Sequence, residues 1–179
     1  MASIRDQTVV RRGQEGDLPA MAEINAVAFS GNQGSREAAL QWVQCWFKAF
    51  PLYQYFVIEV EGKVAGYVGW QVHGGFLRSQ PVIELEQVAI AETFQGQGFG
   101  PKLCEESMQL VVEWMCSKNE HAQESVVVVV WAYTINDNAL SVYARQFRDG
   151  VMGMRVQYEE RAENMLRRKV FMESTRERL

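Results

Sequence analysis

The chain is short of metal-binding and disulfide chemistry. It has two histidines, His73 and His121, far apart in sequence, and three cysteines, Cys45, Cys104 and Cys116. The cysteine count is odd and its spacings match no zinc pattern, so three reduced thiols, no metal and a cytoplasmic setting are expected. Basic charge is not in excess either. Lys plus Arg is 18 against 22 for Asp plus Glu, a formal net charge of −4. That balance argues against a nucleic-acid partner, which usually needs a basic surface. No membrane span is expected, because the longest strongly apolar run, Val126 to Ala132, is too short. The first residues, Met1 to Asp6, have no apolar signal core. Internal repeats and low-complexity tracts are also absent.

What remains is an ordinary globular composition, 47% apolar over 179 residues, enough for one domain spanning 1–179. Thr8 to Arg12 reads as a first strand. Asp17 is placed to cap a helix that begins at Leu18-Pro19 and carries Met21, Ile24 and Phe29 on its apolar side. A second helix follows from Arg36 to Phe47. Tyr55 to Glu61 and Lys63 to His73 read as a hairpin turning at Gly62, with apolar and polar residues alternating along its arms. Pro81 to Ile90 is a further strand, and a long amphipathic helix runs from Lys102 to Ser117. Val126 to Val130, β-branched throughout, predicts a central strand covered on both faces. A short helix over Asn138 to Phe147 and a closing pair, Met154 to Glu160 and Met165 to Met172, complete a mixed α/β order.

The most informative stretch lies between that strand and the long helix: Phe94-Gln95-Gly96-Gln97-Gly98-Phe99-Gly100. Glycine admits positive φ and lets another group approach the backbone closely. A helix start offers unpaired N–H groups and the positive end of a dipole. Together they make an anion cradle, most often for phosphate. Two nucleotide patterns fail at named positions. The dinucleotide fingerprint needs glycine at 101, which is Pro101. A Walker loop from Gly96 meets the same proline, and Lys102 is followed by Leu103 where a hydroxyl is required.

The pattern that fits is Q/R-x-x-G-x-G/A, here Gln95-x-x-Gly98-x-Gly100, and in it the chain resembles the GNAT superfamily of acyl-CoA-dependent N-acetyltransferases. The strand Glu86-Gln87-Val88-Ala89-Ile90 resembles the family's fourth strand, and Asn136 to Tyr143 its N-x-x-A-x-x-x-Y segment. One departure is that Phe147 lacks the glycine that often precedes it in the family. The resemblance implies a central, mostly antiparallel twisted sheet of about seven strands with helices on both faces, splayed between strands four and five. It implies acetyl-CoA as cosubstrate, with Gln95, Gly96, Gln97, Gly98, Phe99 and Gly100 on the pyrophosphate. Val88, Ala89 and Ile90 would lie along the pantetheine arm, and Asn136 would contact it. Dimers are common in the family.

Acetyl transfer to an amine asks for three things: proton removal from the amine, stabilisation of the thioester oxygen, and protonation of the leaving thiolate. The resemblance implies direct attack in a ternary complex, so Cys104 is read as a buried small residue rather than a nucleophile. Glu84 and Glu86 lie two apart on a strand and share a face, which suits one of them to base work. Backbone N–H groups of Val88 to Ile90 would meet the oxyanion. Tyr143 is the acid by resemblance, its phenol close to the sulfur. An acidic face favours a cationic acceptor, either a small amine or a protein amine. Trp70, His73 and Phe76 are candidates for shaping its pocket. The rival from another class is an acyl-CoA-binding sensor or regulatory module without catalysis.

Overall fold

A computed structural model describes residues 8–30, 35–73, 81–118, 125–133, 143, 155–162 and 165–177. The elements are β1 (Thr8–Arg12), α1 (Leu18–Ala28), α2 (Arg36–Lys48), β2 (Tyr53–Val60), β3 (Lys63–His73), β4 (Val82–Ile90), α3 (Phe99–Lys118), β5 (Ser125–Tyr133), β6 (Arg155–Ala162) and β7 (Met165–Glu177). Seven strands are ordered β1-β2-β3-β4-β5-β7-β6. Pairing is antiparallel for β1 with β2, β2 with β3, β5 with β7 and β6 with β7, and parallel for β4 with β5. This is the expected mixed α/β architecture.

The chain falls into two compact units, 1–71 with 87–111, and 72–86 with 112–179. In the first, one face of the strands packs on α1 and α2. Leu18, Met21, Ala22 and Ile24 of α1 and Ala39 and Val43 of α2 close over Tyr53, Tyr55 and Val57 of β2, Tyr67 of β3 and Ala89 of β4. An aromatic series runs through this layer, with ring centroids 4.5 Å apart for Trp46 and Tyr53 and 5.0 Å for Tyr53 and Tyr55. The opposite face packs on α3: Trp70 is buried and its Nε1–H donates to Ser107 Oγ at 2.9 Å. Trp70 is therefore a core anchor and not a wall of an acceptor pocket.

Two local expectations change. In β2 the polar alternation does not mark an exposed face, because the strand is buried on both sides from Tyr53 to Ile58. Its one polar residue there, Gln54, accepts from Arg12 Nη2 at 3.0 Å, which satisfies a buried amide. Asp17 does not cap α1 with its side chain. Its carboxylate instead takes both guanidinium arms of Arg11, at 2.7 and 3.0 Å, and the N–H of Gln14 at 2.8 Å. Arg11 also reaches Glu59 at 2.8 Å, so one guanidinium joins β1, the start of α1 and β2.

In the second unit, β4 and β5 are in register from Val82↔Val127 to Leu85↔Val130. β4 continues to Ile90, and β5 continues in pairing with β7 to Tyr133↔Lys169. Among the described residues the β4–β5 ladder ends at Leu85, which accords with the expected splay. The expected helix over 138–147 lies outside the described residues except for Tyr143, which is helical and buried.

Candidate cofactor cradle and acidic strand

The end of β4 is fixed from two sides. Gly66 on β3 lies so close that a Cβ there would sit 2.7 Å from the carbonyl oxygen of Ala89, and the Ala91 N–H donates to Ala65 O at 2.9 Å. A short 3-10 turn, Glu92–Phe94, then reverses the chain. The Gln95 side chain folds back and donates to Ile90 O at 2.9 Å, and that of Gln97 donates to Thr93 O at 3.2 Å. These glutamines hold the loop through their amides.

Gly96 and Gly98 have φ of 75° and 83°, the left-handed region that glycine occupies at little cost. A Cβ at either would meet nothing within 4 Å, so conformation rather than crowding demands glycine there, and the space beside them is open. α3 begins at Phe99, three residues earlier than the sequence suggests, so Gly100 and Pro101 lie in its first turn. Phe99 is buried and packs at a tilt against Phe94, centroids 6.2 Å apart, anchoring the helix start. Lys102 N–H closes the first turn on Gly98 O at 3.4 Å. Among the described residues, the N–H groups of Gly96, Gln97, Gly98, Phe99 and Gly100 donate to no protein acceptor.

Five consecutive N–H groups without a protein acceptor, at the head of a 20-residue helix, are a donor set of the kind that suits an anion. The donor set and the open space fit a pyrophosphate. Lys102 sits one turn on, its Nζ 3.5 Å from Thr8 O and 3.6 Å from Glu106 Oε1.

β4 alternates as the sequence predicts. Ile83, Leu85, Gln87 and Ala89 are buried, while Glu84, Val88 and Ile90 are half-buried and Glu86 is exposed. On the buried side, Gln87 Oε1 accepts from the Tyr67 hydroxyl at 3.2 Å, and Asn25 reaches both. On the other side, Glu84 Oε2 lies 2.6 Å from His73 Nε2. That partnership was missed: His73 was placed only near an acceptor pocket. The ten intervening residues carry no pattern that reveals a β3–β4 register. Asn136 lies outside the described residues. Cys104 is buried in α3 with its thiol pushed up to about 12 by desolvation, which leaves no thiolate for nucleophilic work. Among the described residues no three His, Cys, Asp or Glu side chains group to hold a metal, and no helix is long and apolar enough to cross a membrane.

No curated protein matches the sequence. Among solved structures, the ribosomal-protein-alanine N-acetyltransferase of Brucella melitensis superposes with a TM-score of 0.64 at 19% identity, over 93% of this chain and 98% of that one. The spermidine/spermine N-acetyltransferase SpeG of Vibrio cholerae gives 0.62 at 15%, over 95% and 94%. YncA of Salmonella typhimurium, solved with its cofactor acetyl-CoA, gives 0.59 at 19%, over 93% and 92%. At these identities the likeness is one of fold. The acetyltransferase (GNAT) family model matches residues 18–147, most of the chain, and the protein belongs to the GNAT acetyltransferase family.

Proposed function

We propose that the chain, acting as one domain over 1–179, is an N-acetyltransferase that moves an acetyl group from acetyl-CoA to a primary amine by direct attack in a ternary complex. The observation that carries this is the run of five unsatisfied N–H groups from Gly96 to Gly100 at the head of α3. Water meets such groups where a loop is exposed, and a pyrophosphate would supply acceptors in its place. In this reading the backbone of Val88, Ala89 and Ile90 binds the pantetheine arm and offers N–H donors to the thioester oxygen. Donors fixed in advance cost no reorganisation as charge develops, and each typically contributes a factor of about 10²–10³. Glu84 or Glu86 draws the proton from the acceptor, Tyr143 protonates the departing thiolate, and Asn136 contacts the arm. The setting is the cytoplasm.

The acceptor is a cationic amine, matched to the acidic face of β4. Structural neighbours named for spermidine or spermine and for a ribosomal-protein alanine define the screen: a polyamine and an alanine-terminated peptide.

The test is calorimetric titration with acetyl-CoA and with free coenzyme A, for wild type and Gly98→Glu. The substitution sets a carboxylate in the nest and a side chain at positive φ. Micromolar binding is expected for wild type, weakened at least a hundredfold in the variant. If wild type binds neither ligand, the reading is overturned. Binding without thiol release on any amine would leave the sensor reading in its place.

A further inference from the structure

At the end of the first unit where β1 runs out and β2 begins, the chain leaves a hollow of about 280 Å³, open on one side. Its walls are rings: Phe47 from the last turn of α2, Phe50 from the turn that follows, and Tyr53 and Tyr55 from alternate positions of β2. The tyrosines are held firmly. Both are buried, Tyr53 packs on Trp46 and on Tyr55, and its ring fills the space that Gly69 leaves by having no Cβ. Gly13 lines the hollow with backbone, its N–H donating to Tyr55 O at 2.8 Å. Phe50 is the exposed member of the lining, at 50%, and is the one aromatic ring among the exposed large apolar residues described.

A cation lies among these rings. The guanidinium carbon of Arg12 stands 4.9 Å from the centre of the Phe50 ring and 5.6 Å from that of Phe56, and Nη2 donates to Gln54 Oε1 at 3.0 Å. Gln54 also lines the hollow. Its own amide donates to Pro51 O at 3.4 Å, so the residue that positions the guanidinium is itself positioned. Arg11 and Arg12 are adjacent and behave oppositely. Hydrogen bonding to Asp17, with Glu59 adding to it, raises the pKa of Arg11, whereas burial lowers that of Arg12. An anion beside Arg12 would pull it back up. The N–H groups of a guanidinium form a planar fork that matches a carboxylate in two parallel bonds. A void left by imperfect packing is apolar throughout, but this hollow combines aromatic walls with a fixed planar cation.

We propose that this hollow is a binding site for a small aromatic carboxylate, with the ring among Phe47, Phe50 and the two tyrosines and the carboxylate on the Arg12 guanidinium. Size sets the class. A cavity of about 150 Å³ holds a benzene ring, so this one takes a single ring and a short acid-bearing arm. Aromatic walls favour an aromatic guest, because rings meeting edge to face gain beyond the area they bury. None of the lining residues is assigned to the cofactor, the acceptor or proton transfer. Tyr53 opens β2, and Ile58, five residues on, pairs with Gly66 against the end of β4. At about 3.3 Å per residue that separation is roughly 17 Å, so the aromatic acid and coenzyme A bind without excluding one another. The site stands whether or not the chain transfers acetyl groups.

The test is fluorine NMR of 4-fluorophenylacetate titrated with the full chain. Binding is expected with a Kd on the order of 0.1 mM, ordinary for a ligand of about ten heavy atoms. 2-(4-Fluorophenyl)ethanol keeps the ring and loses the charge, and fluoroacetate keeps the charge and loses the ring. Each should bind about tenfold or more weakly than the aromatic acid. Saturating coenzyme A should leave the Kd unchanged. Arg12→Met keeps the apolar stem and removes the fork, for a loss of about tenfold. Phe50→Ala removes an exposed ring without opening the core, for a loss of about fivefold, and it decides the matter if Arg12→Met does not fold. No binding to wild type in the millimolar range overturns the site. Equal affinity for the alcohol, displacement by coenzyme A, or wild-type affinity in either folded variant overturns it as well. Sedimentation velocity covers the other occupant: self-association that Phe50→Ala abolishes would give the exposed ring to a second copy of the chain, and the site for an aromatic acid would fall.

Discussion

Glycines in this chain answer two different demands, and substitution separates them. Gly98 and Gly96 have room for a side chain but a backbone that disfavours one, so changes there should cost local strain without crowding. Gly66 is the reverse case. Its φ is unexceptional, but a Cβ would meet the carbonyl oxygen of Ala89 at 2.7 Å and the side chain of Ile90, and a backbone atom cannot move aside. Gly66→Ala should destabilise the fold by about 1–3 kcal/mol, in the range of overpacked sites. A urea melt should show a lower midpoint with an unchanged slope. An unchanged midpoint would mean that β3 and β4 yield there, and the anchoring of the β4 end described above would be wrong.

At the level of elements, the Arg11 cluster gathers three of them around one guanidinium. Hydrogen bonds from Arg11, helped by the Gln14 N–H, hold the Asp17 carboxyl below its ordinary value against the opposing effect of burial. A depressed folded value means that the ionised carboxylate stabilises the protein above the ordinary carboxylate range. That contribution disappears as pH falls through the folded value. Asp17→Asn should therefore cost about 1–3 kcal/mol at neutral pH, and its deficit against wild type should shrink below roughly pH 4. Thermal melts across pH check this; a deficit constant with pH would mean that shape, not charge, is what Asn fails to supply.

The same level shows where sequence was legible. β4 was readable because one face is buried and the other is not, so its alternation in sequence is its alternation in space. β2 was not, because both of its faces are buried and polar Gln54 is satisfied by a partner 42 residues away. The start of α3 was misplaced because glycine and proline usually mark breaks, whereas here both occupy a first turn in which N–H bonds are not required. The left-handed backbone at Gly96 and Gly98 was legible from local chemistry alone. The His73–Glu84 contact depends on register between two strands, which no local pattern encodes.

For the molecule as a whole, family membership and strand order agree with the mixed α/β order read from the sequence. The loop also has a bearing on how the protein can be observed. Amides in β2, buried and laddered on both edges, should exchange hydrogen for deuterium only when the first unit opens. The five N–H groups from Gly96 to Gly100 have no internal acceptor and should exchange near the rate of an unstructured peptide. An anion bound in the nest would slow all five together and leave β2 untouched. Deuterium uptake in a single peptide spanning the loop then becomes an occupancy gauge that needs no label, no acceptor amine and no turnover. Uptake that stays fast with saturating coenzyme A would mean that the ligand sits elsewhere.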